Sequence, residues 1–241
     1  AGEFFTRHSQ PRKGLAGART ILGQMPDWNP AEIIGTRPRP LAISLYRHLI
    51  TDSIWQEARA EMGYQPVPST PLMLTLGGQP YIDVRASFNS FLPAGLPTET
   101  RERLVDAWMD RLETNPKLHD KVEFEVAQTV LDFNFDEDFQ SRYGDVLEPD
   151  EFLEYRIQLA KITAGNLSLA PGASLPRALE KIQQLEALQT QRRSLNDLVL
   201  LPTLLEECRT LGTQPFSVIA RHAFIAEAIL RSAVTRGALS D

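Results

Sequence analysis

The sequence predicts an α+β fold: a small, mostly antiparallel sheet with helices, followed by a C-terminal antiparallel helical bundle. Three observations predict it. Leu72, Leu74 and Leu76 alternate ahead of Gly77 and Gly78. After that pair, Tyr81, Asp83 and Arg85 alternate with Ile82, Val84 and Ala86, which is the signature of a hairpin. The runs at 40–62 and 97–115 instead place apolar residues at helical spacing, and from Pro149 onward everything reads as helix.

Taken in order, residues 1–18 read as an arm or linker, and "ARTILGQMP" as a short strand. Asn29, Pro30 and Glu32 read as a capping box: Asn at the N-cap, Pro at the first helical position, Glu at the third. That helix is short, because Gly35 follows and Pro38 and Pro40 break the pattern. The next helix, 40–62, carries Leu41, Leu45 and Leu49 at four-residue spacing, with Ile43, Tyr46, Ile50 and Ile54 as a second stripe. After the hairpin, "PTETRERLVDAWMDRLETN" is a helix with Leu104, Val105, Trp108 and Leu112 on one face. "KVEFEVAQTVLDF" reads as a third strand with one wet face, Val122, Phe124 and Val126 alternating with acids. Phe152, Tyr155, Leu159 and Ile162 stripe a helix ended by Gly165 and Asn166. Three more helices follow, from 174 to about 195, from 198 to a stop at Gly212, and from 215 to a stop at Gly237. The division expected is an α+β subdomain at 19–148 and a helical one at 149–241, able to form one compact domain together.

Composition narrows the function classes. The 241 residues are 42% hydrophobic and 23% charged, enough for a proper core. No run of about 20 apolar residues is present, so no membrane span is expected. "AGEFFTRHSQPRKG" has no apolar h-region of a signal peptide. The opening lacks Met and reads either as a trimmed start or as a piece of a longer chain. The single Cys208 suits a reducing cytoplasm, where the chain is expected to reside; among Leu201, Leu204, Leu205 and Leu211 it reads as a small core residue. Residues 96–154 carry 17 acidic against 6 basic side chains, which argues against nucleic acid as a partner.

Nucleophile-elbow, Walker, dinucleotide and zinc signatures are missing. The histidines at 8, 48, 119 and 222 show no helical ligand spacing, and His48 and His222 read as half-buried helix residues. Glu123 and Glu125, and the run of Asp136, Glu137 and Asp138, have no metal-specific spacing. The polar set of most interest is Asp83, Arg85, Ser87 and Asn89, one face of the second hairpin strand. As an ordinary strand side it faces solvent. With Arg37, Arg39 and Arg47 beside it, it becomes a polar groove able to clamp a small anionic ligand or a partner carboxylate. The candidate binding residues are therefore Arg37, Arg39, Arg47, Asp83, Arg85 and Asn89; no catalytic or metal-binding residue is assigned.

Several long runs together resemble a known family. "MPDWNPAEIIGTRPRPLAISLYRHLITDSIW", "GGQPYIDVRASFNSFLPA", "NPKLHDKVEFEV" and "LLEECRTLGTQPFSVIARHAFIAEAIL" are similar to bacterial phosphoenolpyruvate synthase-like proteins, relatives of pyruvate phosphate dikinase. The likeness spans most of residues 19–236. It implies a central region lying between an ATP-grasp domain and a phosphohistidine domain, which would be its partners. The parent would use ATP and Mg to move phosphate onto a mobile histidine. The chain carries no recognisable nucleotide-gripping set, acidic metal ligands or Gly-rich histidine motif. No catalytic residue carries over, and no cofactor is expected in this chain. The resemblance implies a non-catalytic linker and docking domain. The alternative is an acceptor-recognition module for a small anionic or carbohydrate substrate.

Overall fold

The two glycines at 77 and 78 both take positive φ, 57° and 78°, as a two-residue hairpin turn demands. They join strand β2 (Met73–Leu76) to strand β3 (Gln79–Asp83) in the register Leu76 to Gln79 and Met73 to Ile82. A two-residue strand, β1 (Leu22–Gly23), pairs antiparallel with the other side of β3, giving the order β1-β3-β2. The computed structural model describes residue 10 and residues 12–67, 70–192 and 198–240. Helices make up most of the rest, and the fold is α+β.

Asn29 caps the short helix α1 (Pro30–Ile33), its Oδ1 accepting from the Glu32 amide at 3.2 Å. The helix expected at 40–62 is divided. Helix α2 (Pro40–Tyr46) loosens into a π turn (Arg47–Thr51), where the Asp52 amide donates to the Arg47 carbonyl, five residues back, at 2.9 Å. Ser53 then leaves helical geometry and helix α3 (Ile54–Glu61) begins.

Two expected strand readings are corrected. The second hairpin strand stops at Asp83, and residues 84–89 form helix α4 (Val84–Asn89). Asp83 caps it, its carboxylate accepting from the Ala86 amide at 3.3 Å. All six residues of α4 are buried, so the alternation marks inward-turned polar groups with partners, not a wet strand face. The segment 122–126 is a single π turn (Val122–Val126) closed by a 2.7 Å bond from the Ala127 amide to the Val122 carbonyl. Val122 and Val126 are buried together, as residues four apart on one turn can be.

Helix α5 (Thr98–Thr114) buries Leu104, Val105, Trp108 and Leu112 as its pattern predicts. Trp108 meets Phe88 of α4 edge-on, centroids 5.7 Å apart. Helix α6 (Phe135–Tyr143) and helix α7 (Pro149–Asn166) close this core through Phe139, Phe152 and Tyr155. Full burial of each such ring is worth roughly 2–3 kcal/mol. A reciprocal capping box of Glu148 and Glu151 starts α7.

Helix α8 (Ser174–Arg192) follows; the rest of its expected length falls on 193–195, outside the described residues. Helix α9 (Leu201–Glu207) runs through a π turn (Cys208–Thr213) into helix α10 (Gln214–Thr235). The stop expected at Gly212 does not occur. A Cβ at Gly212 would meet Leu185 of α8 at 3.5 Å, an ordinary van der Waals contact. Helix α10 packs on α8 and α3, and one core cluster joins Met62, Tyr64 and Val130 to Ile162, Val218 and Ile225. Cys208 is exposed, which corrects its reading as a core residue, and so is His48; His222 is half-buried as expected.

Candidate functional site

The sequence-nominated residues fall into two groups. Asp83, Arg85 and Asn89 are buried and hold the incoming chain, while Arg37, Arg39 and Arg47 are exposed. Asn89 accepts from the Ala16 amide at 2.8 Å and donates to the Ala16 carbonyl at 2.9 Å, gripping one residue by both backbone groups. Arg85 donates to the carbonyls of Gln10 and Gly17 at 3.0 and 3.3 Å. Asp83 accepts from Thr20 at 2.6 Å and from Arg12 at 3.2 Å. Burial pushes the Arg85 guanidinium down from its ordinary value, and the nearby Asp83 carboxylate opposes the shift. Gly17 makes the seam tight: its φ is +95°, and a Cβ there would sit 2.6 Å from Val105. Residues 12–18, expected as part of an arm, thus lie pinned with Arg19 and Thr20 on α4 and α5; residues 1–9 and 11 are outside the described residues. Of the exposed trio, Arg47 pairs with Asp52 at 3.1 Å.

A second polar cluster was not nominated by the sequence. Asp27, Trp28 and Asn29 are consecutive and all have positive φ, 63°, 52° and 24°. Such non-glycine conformations cost on the order of 1–3 kcal/mol each and persist only where surroundings impose them. Here the surroundings are explicit. The Asp27 carboxylate takes a two-point bond from Arg59 of α3, at 2.6 and 2.8 Å, and a third from Ser87 at 2.7 Å. Tyr46 donates to the Trp28 carbonyl, and burial pushes its phenol well up, so the proton stays in place. Arg59 also donates to Ser90 at 2.7 Å and lies 4.3 Å from the Phe91 ring centroid.

Arg221 of α10 approaches the same ring, 5.7 Å from its centroid, and lies 5.5 Å from Tyr64 and Phe224. It is ion-paired with Glu123 of the π turn and donates to Thr129. Burial pushes Arg221 down from its ordinary value, with Tyr64 opposing. Two guanidiniums are therefore held inside the protein, each balanced by a carboxylate from an irregular segment. Sequence did carry a signal for both. Arg59 stands between Trp55 and Met62, and Arg221 between Val218 and Ile225, each on the buried stripe of a helix.

Over this floor opens a cleft of about 380 Å³ between the 27–29 turn, the π turn and α10. Two aromatic pairs wall it: Trp28 with Phe216, centroids 6.0 Å apart, and Phe124 with Phe224, 5.1 Å apart. Beyond Arg221 lies a smaller hollow of about 290 Å³ lined by Asp132 and Asp138. Burial raises the Asp132 carboxyl above its ordinary value, and bonds from the Asn134 and Phe135 amides only partly offset it. The folded state thus holds this proton more tightly than the unfolded chain. Stability from the group is full below the ordinary carboxylate pKa and is lost as pH rises through the raised one. Asp132→Asn keeps the acceptor for the Asn134 amide and is expected to raise the melting temperature at pH 7. That advantage should vanish in melts taken at acid pH, below the ordinary carboxylate range.

Among the described residues, no group of three or more His, Cys, Asp or Glu is placed to hold a metal ion. No helix among them is long and apolar enough to cross a membrane. No protein-family model, curated protein or solved structure matches the chain.

Proposed function

We propose that the chain is a non-catalytic central domain of a phosphoenolpyruvate synthase-like phosphotransferase, a rigid spacer and docking body between an ATP-grasp domain and a phosphohistidine domain. The long runs quoted above supply the family context. The observation that carries the spacer role is the attachment of the N-terminal segment: Asn89, Arg85 and Asp83 fasten Gln10, Arg12, Ala16, Gly17 and Thr20 by buried and part-buried polar bonds. A carrier histidine that must visit two sites needs a fixed distance between them. A loose joint at the start of the spacer would destroy that distance, and a joint made of buried, two-ended hydrogen bonds preserves it. The exposed Arg37 and Arg39, stiffened by the prolines that follow each, are suited to hold a docked neighbour weakly.

The test is phosphoryl transfer. The purified chain with ATP, Mg and pyruvate is expected to release neither AMP nor phosphate above the protein-free rate. Turnover that co-purifies with the chain would contradict the non-catalytic reading.

A further inference from the structure

We propose that the cleft above Arg59 and Arg221 binds a neutral, hydroxyl-rich ring compound, a pyranose sugar. The place is distinct from the residues that fasten the incoming chain, and the inference does not depend on the spacer reading.

The walls come first. Phe216, Ala220 and Phe224 recur every four residues along α10 and so present one face to the cleft. Phe216 remains 57% exposed despite its contact with Trp28, and Trp28 is itself only half-buried on a strained turn. A strained backbone that leaves an aromatic ring beside a cleft is what a recognition surface looks like, since strain is retained where geometry has a use. Open aromatic faces call for a ligand with a flat apolar face.

Charge decides what else the ligand carries. The lining includes four carboxylates, from Asp27, Glu32, Asp120 and Glu123, and three cationic side chains, from Arg59, Lys121 and Arg221. An anion would meet the first set and a cation the second, so neither is favoured by the field of the site. A hydroxyl both donates and accepts, and so bonds equally to a carboxylate and to an ammonium or guanidinium. Asp27 already accepts three bonds, and Glu123 is committed to Arg221. The open polar groups are therefore those of the rim, Glu32, Asp120 and Lys121, all exposed. A pyranose combines an apolar C–H face for Trp28 and Phe216 with equatorial hydroxyls for such a rim. The cleft volume, about 380 Å³, lies at the lower end of small-ligand sites and suits one or two sugar rings.

The structure also supplies the reporter. Of the three tryptophans, Trp55 and Trp108 are fully buried and Trp28 alone borders the cleft, so a change in emission on ligand addition reads Trp28. Glucose, galactose and mannose, with their disaccharides, are titrated into the intact chain alongside glucosamine, glucuronate and inorganic phosphate. The expected result is a saturable change with at least one neutral sugar, with a dissociation constant on the order of millimolar. Phe216→Ala, at a mostly exposed position that leaves the core intact, is expected to weaken it about tenfold or more. Glu32→Gln, which keeps the shape of the rim, is expected to weaken it less. No saturable response to any neutral sugar would overturn the proposal. So would a response confined to phosphate, glucuronate or glucosamine, or one that Phe216→Ala leaves unchanged.

Discussion

Arg59→Ala is expected to lower the unfolding free energy by about 3–5 kcal/mol, the range for removing one partner of a buried ion pair. The side chains of Arg59 and Asp27 are only 6% and 3% exposed, so water cannot replace the lost partner without opening the structure. The substitution strips two of the three bonds to the Asp27 carboxylate and one from the Ser90 hydroxyl. It also removes the cation from the rings of Phe91 and Trp55. Two effects then add. An unpaired carboxylate is left in the interior, and the positive-φ run at 27–29 loses the bond that holds it. Chemical denaturation measures the loss against a total of about 5–15 kcal/mol for a domain. The double change Asp27→Asn with Arg59→Met removes both charges and should lose clearly less than Arg59→Ala alone.

Asn89→Ala is the second large effect, and its character differs. Three bonds disappear: those to the Ala16 amide and carbonyl, and one to the Arg85 carbonyl at 2.9 Å. Left in place, the unsatisfied groups would cost about 1–3 kcal/mol each. The segment 12–20 has an alternative, however, because it can lift away and satisfy its backbone with water. The expected outcome is local release. Hydrogen exchange of the amides at 15–18 accelerates by about a hundredfold, equivalent to some 3 kcal/mol of lost protection, while the core helices keep theirs. Trypsin should then cut after Arg12 or Arg19, whose side chains in the unsubstituted chain pair with Asp83 and with Asp110 and Glu113 respectively.

These two clusters also mark where the sequence could and could not be read. The hairpin was legible because Gly77 and Gly78 and the alternating leucines before them are local signals. The capping residues of α1 and the stripe of α5 were legible for the same reason. At 83–89 the alternation was real but its cause was distant. Each polar side chain there serves α4 itself or a group some 60 to 75 residues away: backbone groups of Gln10, Ala16 and Gly17, and the side chains of Arg12, Thr20 and Asp27. A period of two could not distinguish that from a wet strand. Val122, Phe124 and Val126 were ambiguous in a second way, since residues two and four apart fit a strand and one loose turn alike. The cleft was the least legible part. It depends on Asp27 meeting Arg59 and Glu123 meeting Arg221, and no periodicity reports a pairing between distant residues. What the sequence did hold was two arginines on otherwise apolar helix stripes, each demanding a buried partner.

The proposed spacer role requires that the segment 12–20 be fixed to the body, as its buried and part-buried polar bonds to Asp83, Arg85 and Asn89 would hold it. The most direct measurement is the distance distribution between spin labels at Lys13→Cys and Lys117→Cys, both exposed positions, with the exposed Cys208 replaced by serine. A single narrow distribution, broadened by adding Asn89→Ala, is the predicted result. A broad or multiple distribution in the chain with Asn89 intact would contradict it.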